Sequence, residues 1–368
     1  MRLGDPSGAR PERRELWEAA RRVLCVRLDG MGDVLMTTPA IAALRAGGRH
    51  VTLLASAAGA EVAALVPEID EVIPYDAPWM KAAAPRETAA HDMALLRRLA
   101  EGRFDAAAVF TVYSQSTFPA ALLCFQANIP LRLAHCRENP YQLLTDWLPD
   151  PEPDTIVRHE TRRQLDLVAS IGASTADERL RLHVPVESRS RVERLLSEAG
   201  VTAGRWILVH PGSTAPSRRY PPEMLAEAAR TLAGVTGHTI VLAGSTEERG
   251  LVEEIRAGIG RAAVSLAGAL DLAGLAALIE AAPLLIGNNS GPIHVAAAVG
   301  TPVVDLYALT NPQHTPWAVP SRVLSNDVPC KHCYKSVCPE GHHACLRGVS
   351  PDDVVAAALD LLSSTRPA

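Results

Sequence analysis

Residues 27–40 read RLDGMGDVLMTTPA, and their reading decides the fold. Upstream, RRVLCVRL (21–28) is a short apolar run rich in valine and leucine, which predicts a strand. Downstream, the stretch from about 34 to 46 reads as a helix ending near Gly47 and Gly48. Two glycines and two acids therefore sit where a strand hands over to a helix. Such a turn offers free backbone N–H groups and a positive dipole end, which suit an anion. The spacing is G-x-G-D rather than G-x-G-x-x-G, so the dinucleotide fingerprint is absent and a nicotinamide oxidoreductase is disfavoured. Asp33 reads either as an N-cap carboxylate or as a general base in the crevice beyond the strand. Pro39 separates two local geometries. As the first helical residue it would make Thr38 the cap and leave Asp33 to chemistry; in a helix starting at Asp33 it would cause a kink.

Further along, HVTLLA, DEVIPY, FDAAAVF and IPLRLA (129–134) read as strands, with a long helix around 87–100. PDPEPD (149–154) breaks regular structure, and a helix-like stretch follows over 155–171. The second half repeats strand and helix more regularly. RWILVH (205–210), HTIVLAG (238–244), AAVSLAG, PLLIG and TPVVDLYA are strands. The intervening segments are helical, one with Pro at its start and one with Ser245 and Glu248 at capping-box spacing. The alternation predicts an α/β fold with parallel sheets. The domain boundary is expected near 182–200, giving a first domain over 21–188 and a second over 189–368.

The chain has 368 residues, which suits two domains, and 48 % hydrophobic residues, which supply their cores. Aromatics are only 4 %, a composition that fits helices packed on parallel sheets. The net charge of −5 gives no global positive field, so no nucleic-acid partner is expected. The charged opening stretch has no apolar h-region and no apolar run reaches membrane-spanning length. These features predict a cytoplasmic protein with at most peripheral contact with the inner membrane face.

Two more stretches carry site chemistry. HPGSTAPSRRYPP (210–222) follows a strand and precedes a helix. Its small residues and hydroxyls allow a phosphate close, and Arg218 and Arg219 add charge; the alternative is an ordinary polar loop. In GNNSGPIHVAAAVGTP (287–302), Ser290 or Gly291 would cap a helix whose exposed N–H groups accept an anion. His294 stands one turn in, either at the mouth or as a core histidine.

VLCVRLDGMGDVLMTTPAIAALR, ILVHPGSTAPSRRYPPE, IVLAGSTEE and LLIGNNSGPIHVAAAVGTPVV, taken in this order, resemble glycosyltransferase family 9, the ADP-heptose:lipopolysaccharide heptosyltransferases. The resemblance spans roughly 22–360. It implies a GT-B fold of two Rossmann-like doubly wound domains facing a central cleft. The first would be the acceptor side carrying the catalytic base, and the second would hold the nucleotide-sugar donor. It implies metal-independent, inverting transfer with no required cofactor. Asp33 stands at the family's catalytic aspartate. Ser213, Thr214 and Arg218 match its phosphate contacts, Arg218 at a position often lysine, and Ser290 and Gly291 match its Ser-Gly pair. His294 matches the family's histidine. Glu247 or Glu248 falls where the nucleoside is held; Glu248 is accounted for as a capping acid, which favours Glu247. Asn289 departs from an aspartate common there; it keeps an acceptor, adds donors and loses the charge. TVYSQSTF and LAHCRENPYQLL should face the acceptor, a lipid-linked or other glycan of lipopolysaccharide-core type. Two rivals remain at this level: a nucleotide-sugar epimerase of GT-B architecture, and a non-catalytic sugar-nucleotide-binding member.

CKHCYKSVCPEGHHAC (330–345) places Cys330, Cys333, Cys338 and Cys345 in C-x2-C-x4-C-x6-C spacing. It reads as a structural Zn²⁺ or other metal site, a disulfide, or plain thiols, and in no case as catalytic. A C-terminal helix is expected after it.

Overall fold

The computed structural model describes residues 11–81 and 83–364. The charged opening stretch before residue 11 lies outside the described residues. The chain divides into two compact units, Met1–Arg181 and Leu182–Ala368.

The first unit holds six parallel strands: β1 (Arg22–Arg27), β2 (His50–Ala55), β3 (Glu71–Pro74), β4 (Ala106–Val109), β5 (Leu131–Cys136) and β6 (Asp146–Pro149), in the order β3-β2-β1-β4-β5-β6. The second holds β7 (Trp206–His210), β8 (Thr239–Leu242), β9 (Ala263–Ser265), β10 (Leu285–Asn288), β11 (Val303–Leu306) and β12 (Ser321–Leu324), in the order β12-β11-β10-β7-β8-β9. Read from its other edge, the second order is the same winding as the first. Each unit thus has a topological switch point, between β1 and β4 and between β7 and β10. Ligands of doubly wound folds bind beyond the strand ends at that point.

The central strands are apolar because both faces are covered: Val23, Leu24, Cys25 and Val26 are buried, as are Ile207, Leu208 and Val209. β6 and β12 were not legible as strands. Each is a four-residue edge strand bordered by proline, too short to show a period. The helix Phe118–Gln126 was also missed, because its apolar residues run almost without interruption.

The helix after β1 runs Met31–Arg45 and contains Pro39 in its interior, so Pro39 is not its first residue. Gly30 is its N-cap, and Thr38 is not a cap. Pro39 cannot donate to the Leu35 carbonyl one turn back. The Thr38 hydroxyl donates to that carbonyl instead, at 2.6 Å, and accepts the Arg181 N–H at 2.9 Å. The helix therefore continues past the proline with its freed acceptor satisfied.

Thr38→Val keeps the shape and deletes the hydroxyl, leaving one buried and one partly buried backbone group without that partner. Thermal denaturation should show a loss of about 1–3 kcal/mol. Adding Pro39→Ala returns an N–H to Leu35 and should recover part of it. A Thr38→Val protein as stable as its parent would contradict this account of the helix.

Candidate functional site

In the first unit, Arg27 ends β1 and is wholly buried. Its guanidinium pairs with three carboxylates: Asp29 at 3.0 Å, Asp33 at 3.0 Å and Glu160 at 2.7 Å. Burial opposes the guanidinium's charge, but Asp29, Glu160 and Asp33 together outweigh it and hold the proton more firmly than usual. Asp33 is the third residue of its helix, and its second oxygen accepts the Gly30 N–H at 3.2 Å. Capping and ion pairing thus act together on one carboxylate and fix its orientation. Burial pushes Asp29 up to about 6 against the pull of Arg27. Its other oxygen takes the Gln115 amide at 2.5 Å.

Glu160 begins the helix Glu160–Ala169, whose Glu160, Arg163 and Gln164 are all buried. Gln164 binds Glu160 at 2.7 Å and the Thr111 carbonyl at 3.1 Å. Arg163 binds Asp150 at 2.7 Å and Glu152 at 2.6 Å. This polar face fixes the segment after β4. Asp33, Asp29, Asp76, Trp79, Lys81 and Gln115 line a cavity of about 820 Å³ at the switch point. A second cavity of about 250 Å³ is lined by Ser114–Phe118 and His135–Glu138, from the TVYSQSTF and LAHCRENPYQLL segments.

In the second unit, the loop after β7 is drawn to the end of β10 by Asn288. This buried amide donates to the Pro211 carbonyl at 2.6 Å and accepts the Tyr220 N–H at 2.8 Å. Ser213 is buried, Thr214 is exposed and Arg218 is half-buried. Arg219 turns back onto the Ser213 carbonyl at 2.7 Å. Gly212 lies so close to Glu248 that a Cβ there would meet the carboxylate at 1.9 Å. Glu248 also accepts the Ser245 N–H at 2.9 Å, whereas Glu247 is exposed and held below its usual value by the Ser245 side chain. The helix itself begins at Arg249 with Glu248 as its cap, later than the capping-box spacing suggested. Burial keeps His210 below its usual pKa, against the pull of Glu248.

Ser290 is the N-cap of the helix Gly291–Val299, yet its hydroxyl does not cap it. The hydroxyl faces the Asn288 carbonyl at 3.0 Å and the Gly212 carbonyl at 3.4 Å. Ser290, Gly291, Gly212 and the loop to Arg218 are therefore gathered at the second switch point. His294 is buried, its ring edge-on to His314 at 6.4 Å.

A model of glycosyltransferase family 9 (heptosyltransferase) matches residues 93–344. The chain belongs to glycosyltransferase family 9. It is a glycosyltransferase, and the epimerase reading falls away. A family relative, lipopolysaccharide heptosyltransferase 2 of Salmonella typhimurium, is 27 % identical over 93 % of this chain and 99 % of its own. Among solved structures, an Escherichia coli ADP-heptose lipopolysaccharide heptosyltransferase II is 25 % identical with a TM-score of 0.71, covering 93 % of this chain and 99 % of that one. A family 9 glycosyltransferase from Veillonella parvula gives a TM-score of 0.77 at 24 % identity, covering 94 % and 98 %. The two parallel sheets are those of a GT-B family 9 fold.

The four clustered cysteines of this family 9 chain line one small cavity of about 20 Å³ with His342, His343 and Ser217. All are free thiols, so the disulfide reading does not hold. Among the described residues no three His, Cys, Asp or Glu side chains are grouped to hold a metal ion. The segment braces the loop after β7: Ser217 donates its hydroxyl to the Lys335 carbonyl at 2.6 Å and its N–H to that of Ser336 at 3.0 Å.

Sequence reasoning missed Arg27, Asp29, Glu160 and Asn288. The first two stood beside Asp33 in RLDGMGD, where a basic residue at a strand's end facing two acids was a usable signal. Glu160 carried no local signal.

Arg27→Met removes the cation from three buried or half-buried carboxylates. Urea denaturation should show a loss of about 3–5 kcal/mol, the cost of an uncompensated buried charge. An unchanged midpoint would show that Arg27 does not organise this site.

Proposed function

We propose that this family 9 enzyme transfers heptose from ADP-heptose to a hydroxyl of a lipopolysaccharide-core acceptor, with inversion and without a catalytic metal. The observation that carries the reading is Asp33, held by Arg27 and the Gly30 N–H on the wall of a cavity large enough for a sugar. In this reading residues 21–188 form the acceptor side and residues 189–368 hold the donor. The names of the E. coli and Salmonella relatives support heptose, ADP and lipopolysaccharide.

The acceptor oxygen attacks the anomeric carbon while the bond to the diphosphate breaks. ADP leaves, the new glycosidic bond forms on the opposite face, and the acceptor proton passes to Asp33. The transfer is late, when the attacking oxygen has become acidic, so an ordinary carboxylate suffices. Charge growing on the diphosphate is met by Arg218, the hydroxyls of Ser213 and Thr214, and the helix start at Ser290 and Gly291. Fixed positive groups then do what a bound Mg²⁺ would do. Glu247, Asn289 and His294 serve the nucleoside and sugar. The reading places the enzyme in the cytoplasm at the inner membrane face, reaching a lipid-linked acceptor peripherally. Among the described residues no helix is long and apolar enough to cross a membrane.

Calorimetry with ADP, UDP, GDP and CMP in EDTA tests this directly. ADP should bind selectively, and ADP release from ADP-heptose should survive EDTA. Preference for another nucleotide would remove heptose from the reading, and binding of none would remove the donor site.

A further inference from the structure

Asn289 stands between β10 and the helix Gly291–Val299, beside the residues assigned to the donor. Its amide nitrogen donates to Asp305 Oδ2 at 3.0 Å and to the His314 carbonyl at 2.6 Å. A carboxamide has two N–H hydrogens, and both are used inward. Turning the amide over would set its oxygen against the His314 carbonyl, so the orientation is fixed. Asp305 comes from the neighbouring strand β11, paired in register with Gly287 of β10, and is wholly buried. Burial pushes its carboxyl up to about 8, against the hydrogen bond from Asn289.

We propose that Asp305 is a positioning residue for the donor sugar: with the His314 carbonyl, it locks Asn289 with its nitrogen inward, so that the Asn289 carbonyl oxygen accepts a hydroxyl of the transferred sugar. This rests on the donor-site reading above. It resolves the departure at position 289. An amide whose donors are both spent inside the protein presents an acceptor alone, the same hydrogen-bonding face as a carboxylate without its charge. A carboxyl stands one strand away, behind the amide.

The test uses the full chain, with ADP binding by calorimetry and turnover of ADP-heptose as separate readouts. Asp305→Leu removes the acceptor at similar volume. It should leave the Kd for ADP within about twofold, while kcat/KM for ADP-heptose falls about tenfold or more, the size of one lost hydrogen bond to a buried donor. Asp305→Asn keeps an acceptor oxygen and should recover most of that loss. Asn289→Ala should lose as much as Asp305→Leu, and the double variant no more than either alone. Should the leucine variant not fold, Asp305→Ala serves in its place. The proposal is overturned if ADP binding weakens in step with turnover, if Asp305→Asn is as damaged as Asp305→Leu, or if the two losses multiply. A wild-type chain that neither binds ADP nor turns over ADP-heptose would remove the donor-site reading itself.

Discussion

The site in the first unit depends on one buried guanidinium. Arg27 draws Asp29 from the turn, Asp33 from the helix after β1 and Glu160 from a helix far along the chain onto a single point. Burying a cation is costly, and so is gathering three carboxylates; each makes the other tolerable. Burial still raises the Asp29 carboxyl against the pull of Arg27, while Asp33 keeps one oxygen on Arg27 and the other on backbone. A carboxylate held on two sides has few orientations left, which is what a proton acceptor in a transfer reaction needs.

The second unit reaches a comparable precision by neutral means. The same winding brings the ends of β7 and β10 together, and the Asn288 amide ties the two loops by their backbones. Gly212 lets the Glu248 carboxylate close onto the loop, into the space a Cβ would take. Ser290 turns its hydroxyl away from its own helix. Ser217 is roped to the cysteine-rich segment, which thereby braces the loop after β7.

The alternation of apolar runs with amphipathic stretches made most of both sheets legible, because central strands covered on both faces leave an unmistakable apolar run. The edge strands β6 and β12 left no such run. Pro39 left two helix starts open, and the Thr38 hydroxyl on the Leu35 carbonyl is a side-chain hydrogen bond that spacing alone does not announce. Asp33, Arg218 and Ser290 were legible as motif positions. Their partners were not. Glu160, Arg163 and Gln164 form a polar stripe at helical spacing, which a sequence reading assigns to solvent, and the fold buries it against the site. Asp305 lies in an apolar strand, where only the neighbouring Asn289 gives it a purpose.

The central claim is that Asp33 takes the acceptor's proton while a separate set of residues holds the nucleotide. Asp33→Asn separates the two, because the amide keeps the shape and loses the basicity. The account predicts ADP affinity unchanged by calorimetry and ADP-heptose transfer reduced about 10²–10⁴-fold. Transfer near the wild-type rate, or a loss of ADP binding that matches the loss of transfer, would contradict it.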